Sequence, residues 1–81
     1  MLNIMVINND DIFIEYVWDS ETAFLNDMKF GKSAPERNNY IVSMDTELES
    51  YNEDSLRNEG IYTVEDLMEW CEKNKQGRQQ T

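Results

Sequence analysis

Large apolar residues alternate with other residues over the first eighteen positions, which is the spacing of a β-strand. The alternating positions are Leu2, Ile4, Val6, Ile12, Ile14, Tyr16 and Trp18. Residues 8–11 interrupt them with Asn-Asn-Asp-Asp, residue types that tolerate turn conformations. Residues 1–18 are therefore predicted to form a β-hairpin. Met5, Ile7, Phe13 and Val17 on the opposite face make both faces partly apolar, so we expect one face covered and the other partly occupied.

A helix and a third strand are predicted next. Ser20 can cap a helix on which Phe24, Leu25 and Met28 share one face, and Gly31 can end it. Residues 31–39 contain the single proline and are expected to form a loop. Residues 40–44, Tyr-Ile-Val-Ser-Met, are β-prone and are placed as a third strand beside the hairpin.

The second half of the chain favours helices. Leu48, Tyr51 and Leu56 predict a short, irregular helix ended by Gly60. The last helix has the clearest signals, namely Thr63 as cap, Asp66 at the capping-box position and apolar residues at helical spacing. Those apolar residues are Val64, Leu67, Met68 and Cys71. The predicted fold class is α+β, a small antiparallel sheet packed with two to three helices in the order ββαβαα. Residues 1–75 are expected to form a single acidic domain and residues 76–81 a flexible polar tail.

Composition narrows the functional classes. The 81 residues include 17 acids and 7 bases, for a net charge of −10, which repels nucleic acid and anionic membranes and attracts basic surfaces. Histidine is absent and Cys71 is the single cysteine, so the usual proton shuttle and any internal disulfide are excluded. There is no basic leader segment and no apolar run of about 20 residues, so a cytoplasmic setting is expected.

No constellation of residues points to catalysis. The carboxylates are numerous, but none is singled out as an acid–base pair. The pairs Asp10–Asp11 and Asp45–Glu47 lack the spacing of a calcium-binding loop, and the three glycines stand apart rather than in a phosphate-binding loop. The prediction is a protein that is not an enzyme and uses no cofactor and no metal.

The charges are unevenly distributed along the chain. Residues 45–72 hold ten acids and one base, Arg57, whereas the other bases gather in residues 29–37 and in the tail. Glu65, Glu69 and Glu72 form a stripe on the last helix with an axial spacing of about 4.5–6 Å, comparable to the ~3.4 Å between phosphates along a DNA strand. A stripe of this kind is also what a solvated helix face looks like.

The segment from Ser55 to Leu67, SLRNEGIYTVEDL, resembles the first helix-turn-helix segment in the C-terminal domain of the α chain of RNA polymerase. The matching positions are Leu56, Gly60, Ile61, Thr63, Val64, Asp66 and Leu67. Where that family carries its DNA-contacting Arg and Asn, this chain has Tyr51 and Asp54. The resemblance therefore implies a packing unit that has kept its fold and lost nucleic-acid binding.

The whole chain resembles the small acidic proteins with which bacteriophages and mobile elements disable host factors, including DNA mimics and inhibitors of restriction or CRISPR nucleases. The shared features are size, charge, absent histidine and a compact α+β pattern. This resemblance implies an inhibitor that binds a basic, nucleic-acid-binding host protein in the host cytoplasm, with no direct contact to nucleic acid or membrane. The residues predicted to bind the partner are Glu47, Glu49, Glu53, Asp54, Glu59, Glu65, Asp66, Glu69, Glu72 and Trp70.

Two other functions stay open at this point. Trp70 lies beside the apolar stripe of the last helix and Trp18 ends a strand, and such aromatics often anchor interfaces. An interaction module built on an apolar patch around Trp70, such as an antitoxin, an adaptor or a homodimer, is therefore the main alternative. Packing of Trp70 against the sheet edge would account for the same residue. A metal-dependent enzyme is the third hypothesis.

Overall fold

A computed structural model describes residues 1–31 and 34–79, and for residues 74–79 it describes the backbone only. Four strands and three helices are present: β1 (Leu2–Ile7), β2 (Phe13–Trp18), α1 (Glu21–Phe30), β3 (Tyr40–Asp45), β4 (Ser50–Tyr51), α2 (Glu53–Asn58) and α3 (Val64–Gln79). The strands form one antiparallel sheet in the order β2-β1-β3-β4. This confirms the predicted α+β class, with the hairpin and the third strand as expected and one further strand.

The helices cover one face of the sheet. From β1, the side chains of Leu2, Ile4 and Val6 are fully buried, whereas the alternate residues Met5 and Ile7 are only half-buried. The helices contribute core residues from all three segments, namely Phe24, Leu25, Leu56, Val64, Leu67 and Cys71. The described helices leave the other face of the sheet open, although partial occupation was expected; it carries the half-buried Met5 and Ile7 and the exposed Phe13 and Val17.

The hairpin turn is built by Asn8 and strained at Asp11. The Asn8 carbonyl accepts from Asp11 N, and the Asn8 side-chain Oδ1 accepts from the backbone N–H groups of Asp10 and Ile12 at 2.8 and 3.0 Å. Asp11 then adopts a φ of 62°, a left-handed conformation that hairpins of this length usually give to glycine. Asp tolerates this conformation better than most residues, but at some cost in free energy.

We expect Asp11→Gly to raise the free energy of unfolding by about 0.5–1 kcal/mol, because glycine adopts a positive φ without the steric cost of a Cβ. Urea denaturation followed by tryptophan fluorescence measures the change. Asp10→Gly is the matched control, since it removes the same charge at an adjacent position and is expected to give no gain. Equal gains from both variants would assign the effect to charge instead of backbone conformation.

Helix α1 is held to the sheet through Trp18. The Ser20 hydroxyl accepts from Ala23 N at 3.1 Å, which confirms the predicted cap, and the helix ends at Gly31, where a Cβ would overlap the Asp27 carbonyl oxygen. The Trp18 indole donates to Asp27 Oδ2 at 2.6 Å, and its ring packs edge-on against Phe24 at 4.8 Å. The last residue of β2 therefore fixes the position of the following helix.

The prediction for residues 46–56 was partly wrong. Leu48 and Tyr51 do not belong to a helix: Leu48 is 92% exposed in a turn, and Tyr51 lies in β4. The Thr46 hydroxyl accepts from the backbone N–H of both Leu48 and Glu49, which reverses the chain and returns it to β3 as a fourth strand. Helix α2 begins only after Asn52, whose side chain accepts from Ser55 N at 2.8 Å.

The junction between α2 and α3 follows its sequence signals closely. Gly60 has a φ of 80° and ends α2, and Ile61 is buried immediately after it. The capping box is present, since Asp66 N donates to the Thr63 hydroxyl and Thr63 N donates to Asp66 Oδ2. Helix α3 extends to Gln79, into the segment predicted as a tail, whereas residues 80 and 81 lie outside the described residues. None of the described helices is long and apolar enough to cross a membrane.

Candidate functional site

Arg57, the single base between residues 45 and 72, is used by the fold. Its side chain is only 16% exposed, and its guanidinium donates to the main-chain carbonyls of Ile61 at 2.7 Å and Ile41 at 2.9 Å. It also lies 4.2 Å from the ring centre of Tyr40. Arg57 therefore ties α2 to β3 and to the α2–α3 turn, and little of its charge reaches the surface.

The acidic residues around Tyr51 and Trp70 line two adjoining grooves. One groove holds Glu59, Asp66 and Glu69, with Lys73 at the same groove, and the other holds Asp19, Glu21, Glu47 and Glu49. Tyr51 and Trp70 line both grooves. Tyr51 and Trp70 thus form the wall between the two grooves. We call these two residues and the four acids Glu47, Glu49, Glu59 and Glu69 the acidic–aromatic surface.

The aromatic pair at the centre of this surface joins α3 to the sheet edge. The rings of Tyr51 and Trp70 meet edge to face, with centroids 6.0 Å apart. The Trp70 indole donates to Glu59 Oε1 at 3.3 Å, and both rings are half-buried. Trp70 thus packs against β4, the edge strand, as its position beside the apolar stripe of α3 predicts, while part of its surface stays accessible.

Tyr51 lies in the field of the neighbouring carboxylates. Its burial, a hydrogen bond with the Glu49 carboxylate and the negative charges of Glu49 and Glu59 all raise the pKa of its hydroxyl above the usual 10.0. Burial is the largest cause and Glu49 the next. After burial, the causes of the raised pKa are thus the two carboxylates that lie beside Tyr51.

We expect Glu49→Gln to move the pKa of Tyr51 back toward 10.0, because it removes the charge that disfavours tyrosinate. The difference in tyrosinate absorbance between wild type and Tyr51→Phe isolates this group from the other tyrosines. Since the folded-state pKa is raised, the contribution of Tyr51 to stability is present below pH 10 and is lost as the pH rises through the raised value. An unchanged Tyr51 titration in Glu49→Gln would contradict the assignment.

The stripe on α3 is less negative than its sequence predicts. Arg37 Nη1 lies 3.5 Å from Glu65 Oε1, and Lys29 Nζ lies 3.8 Å from Glu72 Oε1. The expectation that these two bases stand apart from the acids is therefore wrong, because α1, which carries Lys29, packs beside α3, and the loop after α1 brings Arg37 to the same helix. Glu69 lies between these two salt bridges in sequence and also faces the groove beside Trp70.

The remaining predicted residues have structural partners or lie apart from the grooves. Asp66 accepts from the backbone N–H of Tyr62 and Thr63 as part of the α3 cap, and Glu53 lies 3.5 Å from Arg57. Asp54 is exposed in the first turn of α2. The structure therefore brings Glu47, Glu49, Glu59, Glu69 and Trp70 to one surface. Asp66 lines one of its grooves but is used by the α3 cap, and the other predicted residues lie elsewhere.

The sequence did not predict that Tyr51 belongs to this surface, or that Asp19 and Glu21 line one of its grooves. Tyr51 was placed in a helix, and β4 has only two residues, which is too short for a period-two pattern to reveal it. Asp19 and Glu21 line the groove that also holds Glu47, Glu49, Tyr51 and Trp70, a contact between distant segments that sequence spacing does not reveal.

Apart from the acidic residues, the described part of the chain offers few groups that could bind a ligand or react. Within residues 1–31 and 34–73, no group of three or more acidic or cysteine side chains is arranged to hold a metal ion. Cys71 is fully buried in the core, as its position on the apolar face of α3 predicts. No known protein family, curated protein or solved structure matches this chain.

Proposed function

We propose that this protein is a non-enzymatic inhibitor that uses its acidic–aromatic surface to occupy a basic, nucleic-acid-binding site on another protein. The observation that carries the proposal is the state of Arg57. Its guanidinium is bound to two main-chain carbonyls and stacked on Tyr40, and among the ten acids of residues 45–72 its salt bridge is to Glu53, which lies outside the acidic–aromatic surface. That half of the molecule presents a negative field to any partner.

The aromatic pair makes the surface suited to arginine in particular. A guanidinium can pair with a carboxylate and stack on an aromatic face at the same time, and Trp70 and Tyr51 lie among Glu49, Glu59 and Glu69. Basic sites that bind phosphates are built from such arginines and from lysines. The carboxylates just before β4, just after α2 and on α3 would bind these side chains in place of phosphate oxygens.

The biological setting is part of the same proposal. Size, charge and fold class together support a phage-type inhibitor that acts in the host cytoplasm on a nuclease, nucleoid protein or transcription protein. Nucleic acid itself is not the ligand, since a net charge of −10 opposes its approach.

The edge-to-face contact of Tyr51 and Trp70 favours a second candidate, an interaction module in which the aromatic pair binds an apolar patch on the partner. The two candidates differ in their response to salt. Ion pairing weakens when the Debye length shortens, whereas burial of aromatic surface does not.

A capture experiment at two salt concentrations tests the proposal. The protein is immobilised and used to capture nucleic-acid-binding proteins from cell extract at about 50 and about 500 mM NaCl. We expect a partner that is retained at low salt, is lost at high salt and is eluted by duplex DNA or RNA. A partner that is retained equally at both salt concentrations and is unaffected by nucleic acid would favour the aromatic module and contradict mimicry.

A further inference from the structure

The outer edge of the sheet at β2 is open. Within residues 1–31 and 34–79, β1 pairs with β2 on one side and no strand lies beyond β2. The opposite edge is different, because β4 has only two residues and Tyr51 within it is packed against Trp70. The six-residue β2 is thus the longer of the two edge strands.

The backbone groups at the β2 edge follow from the hairpin register. Asn8 N donates to Ile12 O at 3.0 Å, so alternation along the antiparallel pair makes Val6–Ile14 and Ile4–Tyr16 hydrogen-bonded pairs. The N–H and C=O groups of the intervening residues Phe13, Glu15 and Val17 therefore point away from β1. These groups form a template for another strand.

β2 itself has little of the sequence protection that is usual for such an edge. It contains no proline, no lysine and no register shift against β1, and Phe13 and Val17 are 62% and 53% exposed. Its single charged residue, Glu15, accepts from the Asn3 side chain at 2.7 Å, which turns the carboxylate inward over the sheet. The negative charge of Glu15, which could repel another strand from the edge, is therefore held over β1.

Charge is scarce along the strands at this edge. The chain carries −10 overall, yet β1, β2 and residues 40–44 of β3 contain Glu15 as their one charged residue. A second copy of this chain can therefore approach along β2 without bringing the acidic–aromatic surfaces together. We propose that two copies pair antiparallel through β2, which joins their sheets into one of eight strands.

The register of this dimer follows from the positions of Glu15 and the turn. A two-fold axis at Glu15 would place the two carboxylates opposite each other, which is unfavourable. An axis at Ile14 would oppose Val17 to Asp11, where the backbone is left-handed and cannot continue a ladder. An axis at Tyr16 avoids both problems and sets Glu15 opposite Val17 of the second copy.

Sedimentation equilibrium of the full chain tests the dimer, and three variants test its register. We expect wild type to dimerise, Val17→Glu to weaken association about tenfold by placing a carboxylate opposite Glu15, and Val17→Lys to retain it. Val42→Glu on the open face of β3 is the control for face-to-face association and is expected to dimerise like wild type. Circular dichroism verifies that each variant is folded.

Three outcomes would overturn the inference: a monomeric wild type, dissociation by Val42→Glu, or equal effects of Val17→Glu and Val17→Lys. The dependence on salt distinguishes association of this dimer from the partner binding of the proposed function. Because both copies are negative, self-association should strengthen as salt rises, whereas partner binding through the acidic–aromatic surface should weaken. Val17→Glu should leave that partner binding unchanged, so failure of either proposal can be recognised without the other.

Discussion

Arg57→Met is expected to lower the free energy of unfolding by about 2–4 kcal/mol, because it removes a largely buried charged donor. The guanidinium donates to the carbonyls of Ile41 and Ile61, and both acceptors lose a charged donor in the variant. The stacking of Arg57 on Tyr40 is lost as well. A domain of this size has a stability of only about 5–10 kcal/mol, so the variant should be close to unfolding at elevated temperature.

Urea denaturation monitored by tryptophan fluorescence measures the effect. Lys73→Met is the matched control, since it removes the same charge from an exposed side chain and should change stability by less than about 0.5 kcal/mol. Arg57→Lys should lie between the two, because one ammonium cannot reproduce the planar fork of donors. If Arg57→Met and Lys73→Met denature at the same urea concentration, Arg57 is not the tie between α2 and β3.

Reversing two charges on the acidic–aromatic surface is expected to weaken partner binding by about 100-fold. The double variant Glu59→Lys with Glu69→Lys would place like charges against a basic site, which costs several kcal/mol in addition to the attraction removed. Titration calorimetry with the captured partner at fixed salt measures the change. Loss of the Glu59 contact to the Trp70 indole is a side effect, which Glu59→Gln alone estimates.

The control for this variant changes net charge equally at a distant place. Asp10→Lys with Glu36→Lys alters two exposed acids at the hairpin-turn end of the molecule, where both line a separate groove. We expect it to reduce affinity by less than about threefold, through the general field alone. Equal losses from the two double variants would mean that total charge, and not the acidic–aromatic surface, determines binding.

Local signals in the sequence predicted most of the fold correctly. Ser20, Gly31, Thr63 and Asp66 have the capping or terminating roles that their side chains favour, and the hairpin follows the alternation of its apolar residues. These features depend on residues within four positions of one another or on strict periodicity. For that reason they are readable without tertiary information.

The errors arise where one side chain changes the path of the chain. The apolar spacing of Leu48, Tyr51 and Leu56 fits a helix, but the Thr46 hydroxyl binds two backbone N–H groups and makes a turn instead. The consequence for the site is large, because the turn places Tyr51 on an edge strand where Trp70 can reach it. A hydrogen bond from backbone N–H groups to a side-chain hydroxyl does not alter the hydrophobic periodicity, so the periodicity cannot predict it.

The charges of the candidate site could be predicted only in part. The excess of acids in residues 45–72 was evident from the sequence, but their neutralisation depends on distant segments. Lys29 reaches Glu72 because α1 packs beside α3, and Arg37 reaches Glu65 because the loop after α1 passes the same helix. Because of these tertiary contacts, the candidate site is the surface around Tyr51 and Trp70 and not the α3 stripe that the sequence predicts.

Competition between this protein and nucleic acid for one partner tests the claim of mimicry most directly. A labelled DNA or RNA duplex bound to the captured partner is titrated with the protein, and fluorescence anisotropy reports the bound duplex. We predict complete displacement at saturation, with native mass spectrometry finding the partner bound to the duplex or to this protein but never to both. A stable ternary complex, or a duplex affinity unaffected by saturating protein, would contradict the proposal.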